Sequence, residues 1–171
     1  MPANAFSLSS VAPYPELREL APKLTDHRTN PRQHGRATDI VSISDNPTLA
    51  VYLSELFQRS GWAMARTRTV AEGISFARTN LAGVAICDDV LPDGTWYDAA
   101  AALNSLPNPP VLIVIGDDPA IAHDVRALGG FDALVRPLRE SDVIWSVASA
   151  WHAWMKRTEG SGSGGTRCSG A

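Results

Sequence analysis

Two aspartates and an arginine stand where short apolar runs stop. Asp45 follows Ile40, Val41 and Ile43; Asp88 follows Val84-Ala85-Ile86-Cys87; Arg136 follows Ala133-Leu134-Val135. A pair of carboxylates can hold a hard divalent cation. A guanidinium facing them suits a phosphoryl group, whose oxygens need metal and positive charge around them. Asp88, closing a continuous apolar run, is the better candidate nucleophile. Taken singly, any of these acids could equally be a solvated loop residue or a helix cap. Their recurrence at equivalent points along the chain is what suggests a site.

Such a site requires the apolar runs to be strands of one sheet, and the pattern between them fits. Ser44-Asp45-Asn46-Pro47 stops the first run with proline at a helix start, and Leu49, Leu53, Leu56 and Phe57 then share a helical face as far as Gly61. Residues 63–69 read as a second strand and 70–79 as a helix with Ile74 and Ala77 inward. After the third strand, 97–106 is an alanine-rich helix closed by Pro107-Asn108-Pro109-Pro110. Residues 111–115 form the most apolar strand. Ile121, Val125 and Leu128 face inward on a helix ended by Gly129-Gly130; 133–135 make a fifth strand, and Val143, Val147, Trp151 and Trp154 mark a last helix.

Five strands, each followed by a helix, with runs too short and continuous to be half-exposed, predict an α/β fold: a doubly wound five-stranded parallel sheet, order 2-1-3-4-5. Ligands of such sheets sit outside the carboxyl ends of the strands at the switch point, here between the first and third strands. Asp45 and Asp88 would then face one another there.

Composition bounds the rest. The chain has 171 residues and a net charge of -3, enough for one compact domain with appendages. Residues 37–157 carry fourteen acids against nine bases, which speaks against nucleic acid as a partner. The first twenty residues lack a basic region followed by an apolar stretch, and the longest apolar run is too short for a bilayer. A cytoplasmic protein without membrane contact is expected. Residues 1–37, with five of the twelve prolines, read as a partly disordered arm in which Leu17, Leu20 and Leu24 keep helical spacing. Residues 158–171, with five of the thirteen glycines, read as a flexible Gly/Ser tail. The domain is then 38–157, and the residues beyond it are too few for an output domain.

Ser44-Asp45-Asn46-Pro47, then Asp88-Asp89-Val90-Leu91-Pro92-Asp93-Gly94, then the strand from Pro110 to Gly116, then Val135-Arg136-Pro137, together resemble the receiver domain of two-component response regulators. Most specific is the L-P-D-G turn that follows an acid ending an apolar strand. The resemblance covers about 120 of the 171 residues. It implies a flavodoxin-like receiver fold and a stand-alone signalling protein of the phosphorelay, not an enzyme. Asp88 matches the acceptor of a phosphoryl group from a histidine kinase or phosphotransfer protein. Asp45, Asp88 and the backbone carbonyl of Val90 match the ligands of Mg2+. Arg136 stands in place of the family's lysine.

Four departures accompany the match. Ser44 replaces the first acid of the pair, which weakens a magnesium site. Ile115 occupies the position of a serine or threonine whose hydroxyl contacts the phosphoryl group, and cannot make that bond. Ala133 replaces an often aromatic switch residue. Arg136 keeps the charge, but its planar fork is not placed like an ammonium. The alternative is therefore a degenerate pseudo-receiver, a phosphorylation-independent adaptor. In either case the downstream protein would dock on the face of the fourth helix, fifth strand and fifth helix, which in the family also makes homodimers. Trp145, off the buried stripe of the last helix, is a candidate exposed ring there.

Other chemistries fail on register. Asp93-Gly94-Thr95 echoes part of the D-x-D-G-T phosphatase motif, but Leu91 stands where its first aspartate belongs. No G-x-G-x-x-G follows the first strand. His27, His34, His123 and His152 lack metal-ligand spacing with any cysteine. Cys87 reads as a small core residue, and Cys168 lies in the tail.

Overall fold

The computed structural model describes residues 38–161. The expected N-terminal arm with its leucine spacing, and the greater part of the expected tail with Cys168, lie outside these residues. Within them the elements are β1 (Ile40–Ile43), α1 (Pro47–Ser60), β2 (Met64–Thr67), α2 (Val70–Thr79), β3 (Val84–Asp88), β4 (Val90–Leu91), β5 (Gly94–Thr95), α3 (Trp96–Asn104), β6 (Val111–Gly116), α4 (Ile121–Ala127), β7 (Asp132–Val135) and α5 (Glu140–Ser161). Five parallel strands form one sheet in the order β2-β1-β3-β6-β7. With the β4–β5 hairpin set aside, that is the expected order 2-1-3-4-5.

Strand alternation sorts the core into two layers. Val41 and Ile43 of β1, Ala85 and Cys87 of β3, and Leu112 and Val114 of β6 pack with α2, α3 and Val125 of α4. Ile40, Val84, Ile86, Ile113 and Ile115 point the other way, with Leu134 of β7, and pack with α1 and α5. The sheet is covered on both faces, which is why its strands read as unbroken apolar runs.

The helix ends follow local chemistry. Asn46 accepts from the amides of Thr48 and Leu49, Pro47 opens α1, and Gly61 closes it at φ 76°, a left-handed cap that suits glycine. Thr95 and Asp98 form a capping box at α3. Asp93 accepts from the amides of Val70 (2.8 Å) and Ala71 (3.0 Å) at the start of α2, and these two N–H groups hold its carboxyl below its ordinary pKa. The acid that echoed a phosphatase motif is thus a helix cap.

Two local expectations need correction, and one element, a hairpin flanking the expected turn, was not foreseen. The Leu-Pro-Asp-Gly turn is the tip of a two-stranded hairpin, Val90–Leu91 with Gly94–Thr95; apolar runs this short carry no periodic signal. Leu128 is 50% exposed rather than inward, because α4 stops at Ala127 and the chain leaves the helix before the next inward position. The last helix continues to Ser161, through 158–161. Its inner stripe is as expected, with Val143, Val147 and Trp154 buried and Trp145 47% exposed. Trp151 packs edge-on against Trp62, with ring centroids 5.5 Å apart, and lies 5.2 Å from Trp154. Gly83 is required beneath this cluster: a Cβ there would come within 2.4 Å of the Trp151 ring.

Candidate functional site

Register brings the site together. Ile43 of β1 pairs with Cys87 of β3, so one step further Ser44 lies beside Asp88, and Asp88 itself pairs with Ile115 of β6. Ser44, Asp88 and Ile115 share a face by the alternation of their strands, the face covered by α1 and α5. They form a row across three strands at the carboxyl edge. Arg136 leaves β7 next to this row, its amide donating to the Gly116 carbonyl (3.0 Å), with a cis peptide to Pro137.

Asp88 is the buried acid of the row, its side chain 7% exposed. Both of its oxygens are taken. The Ser44 hydroxyl donates to Oδ2, and Arg136 Nη2 donates to Oδ1. Ser44 Oγ also accepts from the Asn46 amide (3.1 Å), so the hydroxyl is fixed by the turn that opens α1. Arg136 reaches a second acid with Nη1, Asp117 Oδ1 at 3.3 Å. Burial pushes the Asp88 carboxyl above its ordinary pKa; the Ser44 hydrogen bond and the Arg136 charge offset this only in part, and Asp89 adds to the rise.

Asp45 is paired with another residue. It is the residue after Ser44 and leaves the row at the strand end, where Arg68 takes its Oδ1 through Nε (2.7 Å) and Nη2 (2.6 Å). Arg68 follows β2, the neighbour of β1, which is how the two meet. Val90 lies in the hairpin opposite Thr95 and is 71% exposed. Ile115 is fully buried, in the apolar layer that also holds Leu49, Leu53 and Ile113. Cys87 is buried in the other layer; burial raises its thiol far above the ordinary value, and Sγ donates to the Asp88 carbonyl (3.1 Å). Beside Arg136 a cleft of about 570 Å3 is lined by Asn46, Leu49, Tyr52, Pro137 and Leu138 among others.

Among the described residues no group of three or more His, Cys, Asp or Glu side chains is placed to hold a metal ion. Magnesium asks for near-octahedral oxygen ligation with at least one carboxylate free to face it. Here one expected acid is a serine, the buried carboxylate is engaged on both oxygens by Ser44 and Arg136, and the remaining one is paired with an arginine. The donor set does not fit a resident Mg2+. The residues that sequence reasoning missed are the partners themselves: Ser44 as a donor, Asp117 as the second anchor of Arg136, and Arg68.

This sheet order, with helices on both faces and an acid at the end of the third strand, is the fold of a response regulator receiver domain. Among solved structures, the CheY-like receiver domain protein from Methanospirillum hungatei superposes with a TM-score of 0.62 at 14% identity, over 71% of this chain and 98% of that one. The signal receiver domain of a signal transduction histidine kinase from Syntrophus aciditrophicus gives 0.60 at 19% identity, over 79% and 98%. By sequence, the chain is 28% identical over 130 residues to the probable transcriptional regulatory protein TcrX of Mycobacterium tuberculosis, covering 74% of this chain and 53% of that protein. It is 26% identical over 125 residues to the acid tolerance regulatory protein ActR of Rhizobium meliloti, covering 72% and 64%. The chain therefore spans between about half and two thirds of these relatives. No protein-family model matches it. No helix among the described residues is long and apolar enough to cross a membrane.

Proposed function

We propose that this chain is a receiver module of two-component, phosphorelay-type signalling that works through protein contacts, with Asp88 held by its own neighbours rather than cycling through a phosphoryl state. The observation that carries this reading is the double engagement of Asp88 by Ser44 and Arg136. Each Asp88 oxygen accepts one donor, so attack on phosphorus would have to start from a carboxylate held in place by a hydroxyl and a guanidinium, with its nucleophilicity lowered by both. Ile115 supplies no hydroxyl to the transferred group, so the contact by which a receiver would register phosphorylation has no counterpart.

A second reading has one observation in its favour: Asp88 closes β3 at the centre of the carboxyl edge, where an acceptor would stand. On that reading a histidine kinase or phosphotransfer protein would supply the phosphoryl group once Arg136 swings away. For output, the exposed Trp145 on α5 and Leu128 after α4 support a contact with a downstream protein or a second copy on the side of α4, β7 and α5.

Intact mass after incubation with acetyl phosphate and Mg2+, alongside Asp88→Asn, decides between the two. The proposal expects the mass of both proteins to stay unchanged. A phosphoryl adduct on the wild type that Asp88→Asn lacks would overturn it.

A further inference from the structure

We infer that Arg68 and Arg136 are the resident cations of this site and keep divalent metal out of it. The inference rests on the reading that Asp88 is held from within, and names what holds it. The two carboxylates a metal would bridge are each matched by one guanidinium: Asp88 by Arg136, and Asp45 by Arg68. The missing acid is Ser44, a neutral donor that fills the remaining oxygen of Asp88. Each of these two carboxylates therefore has its own guanidinium, although Arg136 is shared with Asp117 and Asp89 adds a further negative charge nearby.

The two arginines contribute unequally. The Arg68 side chain is 75% exposed and Asp45 is 42% exposed, so that pair sits in water and is easily exchanged. Arg136 is 26% exposed against a carboxylate that is 7% exposed, and it is tied to Asp117 on its far side. A metal on Asp88 Oδ1 would stand against the guanidinium at contact distance in a site with little water to screen it. Admitting the metal would require Arg136 to leave Asp88, and the Ser44 hydroxyl to give up a buried acceptor. Arg136 and Ser44 are thus the pair that excludes the ion, and Arg68 turns aside the acid that would have been its second ligand.

The test is a Mg2+ titration of the full chain, without phosphodonor, followed by the amide resonances of Asp45, Asp88, Asp89 and Val90. Wild type should show only the small, non-saturating drift that matched ionic strength produces. Ser44→Asp combined with Arg136→Lys restores an acid and replaces the fork by a compact ammonium, and should give saturable shifts at those four amides. Arg136→Lys alone, a milder change, should give a weaker response of the same kind. Saturable shifts in the wild type that vanish in Asp88→Asn would overturn the inference. So would a folded double variant, with native-like spectra, that stays inert to Mg2+. Neither result depends on phosphoryl transfer, so either could occur while the acetyl phosphate experiment leaves the wild-type mass unchanged.

Discussion

Removing the Arg136 guanidinium exposes how much the site depends on it. Deleting one member of a buried ion pair costs about 3–5 kcal/mol, because the other charge stays buried without compensation. Two features lower that figure here: Arg136 keeps a quarter of its side chain in solvent, and Ser44 still donates to Asp88 when the arginine is gone. Arg136→Ala should therefore destabilise by about 2–3 kcal/mol. For a domain of this size, one kcal/mol moves the midpoint by about 3–5 °C, so Tm at neutral pH should fall by about 6–15 °C. Circular dichroism melts of wild type, Arg136→Ala, Asp88→Asn and the double variant give the full cycle. The double variant should regain most of the loss, since no buried carboxylate remains to be compensated. Acid should shrink the deficit too. Arg136 lowers the pKa of Asp88, so its contribution is present while Asp88 is ionised and fades as pH falls through the folded pKa. A deficit under about 0.5 kcal/mol, the level of an ordinary surface substitution, or strict additivity in the cycle, would refute this account of the ion pair.

The raised pKa of Asp88 itself makes a pH prediction. A folded pKa above the unfolded value means that the carboxyl favours the fold below the unfolded pKa, and that this contribution is lost as pH rises through the folded pKa. The Tm of Asp88→Asn relative to wild type should thus increase with pH across that window and level off above it; a constant difference would count against burial as the dominant cause. Ile115→Thr places a hydroxyl in the buried apolar layer between the sheet and the α1 and α5 face and should cost about 1–3 kcal/mol in urea unfolding. A neutral result there would mean that the hydroxyl finds an acceptor at the carboxyl edge after all. Gly83→Ala drives a methyl into the Trp151 ring and should cost about 1–3 kcal/mol, with a changed near-ultraviolet signal from the tryptophan cluster; an unaltered spectrum and melt would show that the rings have room to move.

Most of the fold was legible because the apolar runs of β1, β3 and β6 are covered on both faces, and their caps, Asn46-Pro47 and Gly61, are spelled in residue types with strong positional preferences. The hairpin at Val90–Leu91 and Gly94–Thr95 was not, since two-residue strands have no period to read. Leu128 shows the limit of helical spacing: the pattern continued one residue past the point where α4 ends.

The positions of the site residues could also be read, but their partners could not. Asp88 and Arg136 fall where the strand ends place them. Asp45 was read as facing Asp88; the structure pairs it with Arg68, while its neighbour Ser44 hydrogen-bonds Asp88. Arg68 was within reach of the sequence, as the residue after a strand expected to lie beside β1. Asp117 carried no comparable signal, being one of several acids in the turn after β6.

The central claim is that the Asp88 carboxylate is satisfied from within the chain. A crystal structure of the full chain grown with magnesium and beryllofluoride, a mimic of a bound phosphoryl group, tests it most directly. The account predicts Arg136 and Ser44 on the two oxygens of Asp88, with neither ion bound there. Beryllofluoride attached to Asp88, with Mg2+ beside it on Asp45 and the Val90 carbonyl, would contradict it.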